Sequence, residues 1–177
     1  MTQPDFQYCP MCRTPLVPRT HGGRERLACP ACDFVQWRNP IAVVAAIVER
    51  AGKIVLVRSL GRPPTWFGLV AGFLESGETP EQAVIREVVE ELGIEALRGA
   101  FVGSYPFERL NQIIFVYHVL GGAGPIRLAE DELAAYQEIP IEKVRPWPQG
   151  TGPGLRDWLA TRGFHPTMAD FGTPQDE

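Results

Sequence analysis

The spacing of apolar residues changes along this chain, and each change predicts an element. Ile41 to Val48 is an unbroken apolar run of eight residues. It is too short to cross a membrane and suits a strand buried on both faces. Ala51-Gly52 can turn the chain into Lys53 to Arg58, where Ile54, Leu56 and neighbouring valines continue a sheet. Ser59 to Thr65, with Gly61 and two prolines, reads as a loop, and Trp66 to Leu74 leads on from it. From Pro80 to Leu92 the rhythm becomes helical. Val84, Ile85, Val88, Val89 and Leu92 fill an arc of about 140° on an ideal wheel. Thr79 is placed as N-cap, Pro80 as first helical residue, Gln82 as partner in a capping box, and Gly93 as the residue that ends the helix. Ala96 to Ser104 and Gln112 to Leu120 read as strands joined by a polar turn at Glu108 to Asn111. Gly121 to Pro125 is a loop, Glu138 to Ile141 a short strand, and Leu155 to Ala160 part of a second helix.

The other side of the first helix carries the chemistry. Ala83, Glu87, Glu90 and Glu91 span only about 80° of the wheel. Like charges three and four residues apart repel and weaken an isolated helix. Something positive is therefore expected on that face, and hard divalent cations take oxygen ligands of this kind. Taken alone, an acidic strip is more simply a solvated face.

The wider spacing decides between these readings. Gly72 is followed by five residues and Glu78. Seven more lead to Arg86-Glu87, then Val88, Glu90-Glu91, Gly93 and Ile94. This matches the pattern G-x5-E-x7-R-E-U-x-E-E-x-G-U, with U aliphatic, and resembles the signature of the Nudix hydrolase superfamily at every fixed position. The resemblance extends over roughly Ile41 to Gly163. It implies an α/β (α+β) fold, the Nudix α/β/α sandwich with a mixed sheet. It also implies an enzyme that hydrolyses the pyrophosphate linkage of nucleoside diphosphate derivatives. By that resemblance Glu87, Glu90 and Glu91 bind Mg²⁺ or Mn²⁺, and the backbone carbonyl near Gly72 joins them. Arg86 and Glu78 brace the loop through a salt bridge, and Glu75 is a secondary candidate.

Metal ions suit this chemistry because they neutralise anhydride oxygens and lower the pKa of bound water. The general base must lie within hydrogen-bond reach of that water. Glu91 is one candidate. Glu132 is the other, because Glu130 to Tyr136 resembles a stretch after the box from which a glutamate reaches the metal cluster in many Nudix enzymes. An ordinary acidic turn is the alternative for Glu132.

The four cysteines form two C-P-x-C knuckles, Cys9-Cys12 and Cys29-Cys32. Paired knuckles at this separation read as a four-thiolate Zn²⁺ site, closed and therefore structural. Two disulfides are the alternative. The absence of a signal peptide weighs against them and favours a cytoplasmic protein. A hairpin is expected between the knuckles, running through Leu16-Val17, turning near His21 to Gly23 and returning through Arg26 to Ala28. Phe34 to Trp37 is expected as a third short strand. So small a unit needs a metal staple. The expected organisation is a zinc ribbon over 1–39, a Nudix domain over 40–163 and a flexible tail over 164–177.

The formal net charge is −4, so the protein's own field repels a polyphosphate and the cation must supply the attraction. The ribbon is mildly basic against an acidic remainder. It is expected to act as a stabilising appendage or homodimer element, with RNA or nucleotide contact the less favoured role. Ribbon and box together resemble NADH pyrophosphatases, which also remove NAD caps from RNA. That group's S-Q-P-W-P-F-P-x-S motif is echoed only by Ser104, Pro106 and Phe107, and the extra N-terminal domain common in that group is lacking. The expected substrate is therefore another nucleoside diphosphate compound, such as ADP-ribose, FAD or a nucleotide sugar, with NAD(H) or NAD-cap removal as the alternative. Tyr105 and Phe107 alternate onto one side of a strand and are candidates for stacking on a base, with sheet core the equal alternative. Trp66 and Phe67 are expected to pack. His21, His118 and His165 match no ligand spacing. A non-catalytic nucleotide- or RNA-binding adaptor is a different class of reading, which a damaged box would have favoured.

Overall fold

The computed structural model describes residues 6–169. The last part of the expected tail, 170–177, lies outside the described residues. The chain divides into two compact units, one running up to Pro40 with the addition of Glu108–Asn111, the other holding Ile41–Phe107 and the chain from Gln112 onward.

The first unit is built on a hairpin, β1 (Val17–His21) and β2 (Arg24–Ala28), paired antiparallel with His21 opposite Arg24. Gly22 and Gly23 both have positive φ, 59° and 74°. That is the requirement of a two-residue turn whose twist matches its strands. The expected third strand, Phe34–Trp37, does not form. Only a single bridge joins Val35 to Ala28. The second knuckle occupies the preceding residues, with the Cys29 amide bonded to the Phe34 carbonyl. Pairing therefore starts late and stops at once. Asn111 Nδ2 donates to the carbonyls of Arg38 and Asn39, which groups its turn with this unit.

The second unit is one mixed sheet with a helix on each face. Its strands are β3 (Ile41–Arg50), β4 (Lys53–Ser59), β5 (Val70–Phe73), β6 (Ala96–Phe107), β7 (Gln112–Gly121) and β8 (Leu133–Pro140). They lie in the order β6-β7-β3-β4-β8, with β5 also paired to β3. The β3–β7 pairing is parallel and the others are antiparallel. Helix α1 (Pro80–Leu92) packs on Val44, Ala46 and Val48 of β3, and α2 (Gly152–Thr161) covers the side of Val43, Ala45 and Ile47. Covering both faces is what allowed β3 to read as an unbroken apolar run. The fold is the α/β/α sandwich expected from the sequence.

β8 begins five residues before the short strand expected at Glu138. It is an exposed edge along β4, with Leu133 its only buried residue. Apolar alternation is consequently faint. Opposite, α2 is tied to the sheet by ring packing of Trp158 on His118, with centroids 5.0 Å apart. His118 Nε2 lies 2.7 Å from Glu49 Oε2, which also accepts from Arg162 at 3.0 Å. Beyond α2, the Ala169 amide donates to the Pro146 carbonyl, so the start of the expected tail is hydrogen-bonded.

Candidate metal and catalytic site

Helix α1 starts where its cap dictates. Thr79 Oγ1 accepts from the Gln82 amide at 3.3 Å while Gln82 Oε1 accepts from the Thr79 amide at 2.8 Å. It stops at Gly93, whose left-handed φ of 61° lets its amide bond the Val89 carbonyl. A side chain there would also press on the Arg127 backbone. These ends fix which residues face inward. Val84, Val88 and Leu92 are buried completely. Glu87 and Glu91 are carried in beside them, 8% and 5% exposed, whereas Glu90 remains exposed.

Gly72 makes room for Glu87. A β-carbon at that position would overlap all three atoms of the Glu87 carboxyl group. The glycine does not have positive φ, so close approach is its reason for being there. Arg86 holds the rest. Its Nε and Nη2 grip both Glu78 oxygens at 3.1 and 2.7 Å. Its Nη1 donates to Glu87 at 2.8 Å and Glu90 at 2.9 Å, and Nη2 also reaches the Phe73 carbonyl at 3.1 Å. Glu78 additionally accepts from the Glu75 amide. The guanidinium thus joins the loop, β5 and the acidic face. It does more than the single Glu78 salt bridge expected of it, and the Arg86–Glu90 part is legible from i,i+4 spacing. Glu75 itself is exposed.

Glu132 is brought near by backbone rather than by its own side chain. The amides of Arg127 and Ala129 bond the Leu92 and Glu91 carbonyls at the end of α1. The Glu132 amide then bonds the Ala129 carbonyl, and the Glu132 carbonyl accepts from Leu60. Its charge is felt by both Glu87 and Glu91.

Glu91 is the most perturbed of the acids. Burial, then the charges of Glu87 and Glu132, push its pKa up to about 8, against a hydrogen bond from the Ala71 backbone. Glu91 Oε2 is buried without any hydrogen-bond partner. Glu87 is raised too, by burial first, with Arg86 opposing and the Glu90 and Glu132 charges adding. A buried carboxylate oxygen with no donor, among other acids, fits a bound cation. The carboxylates do not close on one another. Among the described residues, only Cys9, Cys12, Cys29 and Cys32 bring ligand atoms of three or more such residues within 4.8 Å. A hard cation that keeps waters and substrate phosphate in its shell tolerates that looser set.

The thiols are tightly gathered. Cys9 and Cys32 sulfurs lie 3.6 Å apart, Cys12 and Cys29 3.4 Å, and Cys12 and Cys32 3.8 Å. These exceed a disulfide bond, and all four cysteines are free. A tetrahedron with Zn–S of about 2.3 Å has edges of about 3.8 Å. The Met11 and Ala31 amides donate to the Cys9 and Cys29 sulfurs at 3.4 and 3.3 Å.

Tyr105 and Phe107 do share one side of β6, as alternation predicts, and that side is the α2 core. The Tyr105 hydroxyl donates to Asp157 of α2 at 2.9 Å. Burial first and Asp157 second push its pKa up to about 12. Both rings therefore lie across the sheet from α1. Phe67 packs in the same core, and Trp66 lies under Arg62.

The family model described as NUDIX domain matches residues 38–161. The NAD-capped RNA hydrolase NudC of Chromobacterium violaceum is 35% identical over 130 residues, covering 72% of this chain and 47% of that one. Its namesake from Pseudomonas aeruginosa strain LESB58 is 30% identical over 143 residues, covering 80% and 50%. This chain spans about half the length of these curated relatives. A NUDIX hydrolase from Nitrosomonas europaea superposes with a TM-score of 0.74 over 93% of this chain and 97% of that one, at 20% identity, which shows a shared fold.

Proposed function

This chain belongs to the NUDIX family, and on that premise we propose that it hydrolyses the pyrophosphate linkage of a nucleoside diphosphate derivative, using Mg²⁺ or Mn²⁺. The observation that carries the reading is Glu91: a buried carboxylate with an unpartnered oxygen, beside Glu87 and within the field of Glu132. Glu87, Glu90, Glu91 and the Gly72 carbonyl would hold the cation, with Glu132 joining from its own loop. The bound ion would neutralise phosphate oxygens and acidify a water. Glu91 or Glu132 would take the proton from the attacking water, and a base raised toward neutral pH suits that role. Arg86, fixed on Glu78 and the Phe73 carbonyl, would set the positions of Glu87 and Glu90.

Compounds such as ADP-ribose, FAD and nucleotide sugars carry the required linkage. NAD(H), free or as the 5′ cap of an RNA, is the second reading, and the names of the relatives at 30 and 35% identity favour it. Against it, Ser104-Tyr105-Pro106-Phe107 keeps only part of the motif expected of that group. Zn²⁺ on the four cysteines would be structural. Of the domain reading 1–39, 40–163 and 164–177, the first junction is supported by the break at Pro40 and by the family match over 38–161. No described helix is long and apolar enough to cross a membrane.

The test is product release from ADP-ribose, FAD, UDP-glucose, NADH and NAD-capped RNA with Mg²⁺ or Mn²⁺, comparing wild type with Glu90→Gln. Turnover that the substitution abolishes supports the hydrolase and identifies its substrate. Binding of these compounds without turnover of any would favour the adaptor.

A further inference from the structure

The hairpin of the first unit has two unlike faces. Register pairs Val17 with Ala28, Arg19 with Arg26 and His21 with Arg24. Successive side chains alternate, so these residues share one face while Pro18, Thr20, Glu25 and Leu27 share the other. Arg19, Arg24, Arg26 and His21 thus stand together, and the hairpin's acid, Glu25, points away from them. Like charges directly opposite across a strand pair are destabilising. Arg19 and Arg24 are exposed, so burial does not explain the arrangement. A polyanion would.

Trp37 lies on the same side. The Arg26 guanidinium sits over its ring at 4.8 Å, and the His21 ring meets it edge-on at 6.4 Å. Arg26 also donates to the Trp37 carbonyl. Trp37 is nonetheless 51% exposed. A basic strip with an aromatic platform is the usual equipment for single strands, whose unpaired bases can stack while phosphates meet arginine. A two-stranded ribbon can enter the wide major groove of DNA, but the deep, narrow major groove of duplex RNA excludes it, and an exposed indole has no unpaired base to stack on in a duplex.

We propose that this face binds single-stranded RNA, with Arg19 and Arg24 on phosphates, Trp37 under a base and Arg26 bracing the Trp37 ring. The choice of RNA over DNA rests on the second reading of the hydrolase, in which its substrate is the NAD cap at the 5′ end of an RNA. The charge and stacking argument does not rest on it.

The test uses the full chain and fluorescence anisotropy. The probe is an unstructured RNA of about twelve nucleotides with a 5′-hydroxyl, titrated over a range of salt. Arg19→Gln/Arg24→Gln should weaken binding and flatten the log K against log salt slope by about 1.4, that is about 0.7 for each lost phosphate contact. Trp37→Ala should weaken binding about five- to a hundredfold. Thr20→Ala, on the opposite face, should bind as wild type. Unchanged zinc content and melting temperature show that each variant is folded. Should Trp37→Ala not fold, Trp37→Phe should remove RNA-induced tryptophan quenching instead. Wild-type affinity and salt slope in the double arginine variant would overturn the site. Equal or tighter binding of duplex would overturn the stacking, and tighter binding of single-stranded DNA would overturn the assignment to RNA. Hydrolysis of a small dinucleotide should be unchanged in the arginine variant, so this outcome and that of the hydrolase test are independent.

Discussion

Gly72→Ala separates the function of the acidic site from the stability of the fold. A β-carbon at Gly72 would occupy the space of the Glu87 carboxyl group. The strand itself tolerates alanine, since Gly72 is paired with Val44 in a regular ladder and its φ is not positive. Replacing glycine there should stabilise by about 0.4–1 kcal/mol through the unfolded chain. Overpacking opposes this by about 1–3 kcal/mol. The lower end applies, because the displaced atoms end a flexible side chain. Net stability should therefore change by about 1 kcal/mol or less, read as chemical denaturation without added divalent cations. Activity should respond far more. Glu87 must leave both its cradle and Arg86 Nη1 at 2.8 Å, and a displacement of about 1 Å at a reacting centre costs about a hundredfold. The assay is kcat/KM on the best substrate, titrated with Mg²⁺. The variant should show at least that loss and need more Mg²⁺ for half-maximal rate. A folded variant with wild-type rate and wild-type Mg²⁺ dependence would refute the role given to the Gly72–Glu87 contact.

Glu91→Gln should abolish turnover yet raise the stability of the cation-free protein, by up to a few kcal/mol at neutral pH. The Glu91 pKa stands at about 8 in the fold against an ordinary 4.5. Its stabilising contribution is therefore complete below about 4.5 and is lost as pH rises toward 8. Melting curves without divalent cations should fall across that window in wild type and fall less in the variant. Arg86→Lys should lower kcat about ten- to a hundredfold. An ammonium cannot reproduce the two-pronged grip on Glu78 at 2.7 and 3.1 Å together with the contacts to Glu87 and Glu90. An unchanged rate would remove Arg86 from the positioning network. Metal analysis should find about one Zn²⁺ per chain. Cys29→Ser should lose it and the hydrogen-exchange protection of β1 and β2 while the sheet of β3 to β8 stays protected, whereas retained Zn²⁺ would contradict the four-thiolate site.

Legibility in the sequence followed local signals. Thr79, Gln82 and Gly93 mark the ends of α1 because caps are read from neighbours in the chain. β3 was plain because both its faces are buried. β8 is only half legible because an exposed edge strand has no core face to impose alternation. The four cysteines and the three acids of α1 were legible as types at fixed spacings. The reach of Arg86 to the Phe73 carbonyl was not, nor was the Ala71 amide behind Glu91, since a backbone group leaves no mark in residue identity. The pairing of Tyr105 with Asp157, 52 residues away, sends that ring to the α2 side. Strand alternation gave the shared side of Tyr105 and Phe107 but could not say which helix would cover it.

The most direct test is Mn²⁺ binding by electron paramagnetic resonance, on wild type and on Glu91→Gln, with a non-hydrolysable substrate analogue present. Wild type should immobilise Mn²⁺, and the variant should bind it at least about tenfold more weakly, as expected when a ligand is lost. Equal Mn²⁺ affinity in the two proteins would contradict the claim that the acids of α1 gather the cation on which hydrolysis depends.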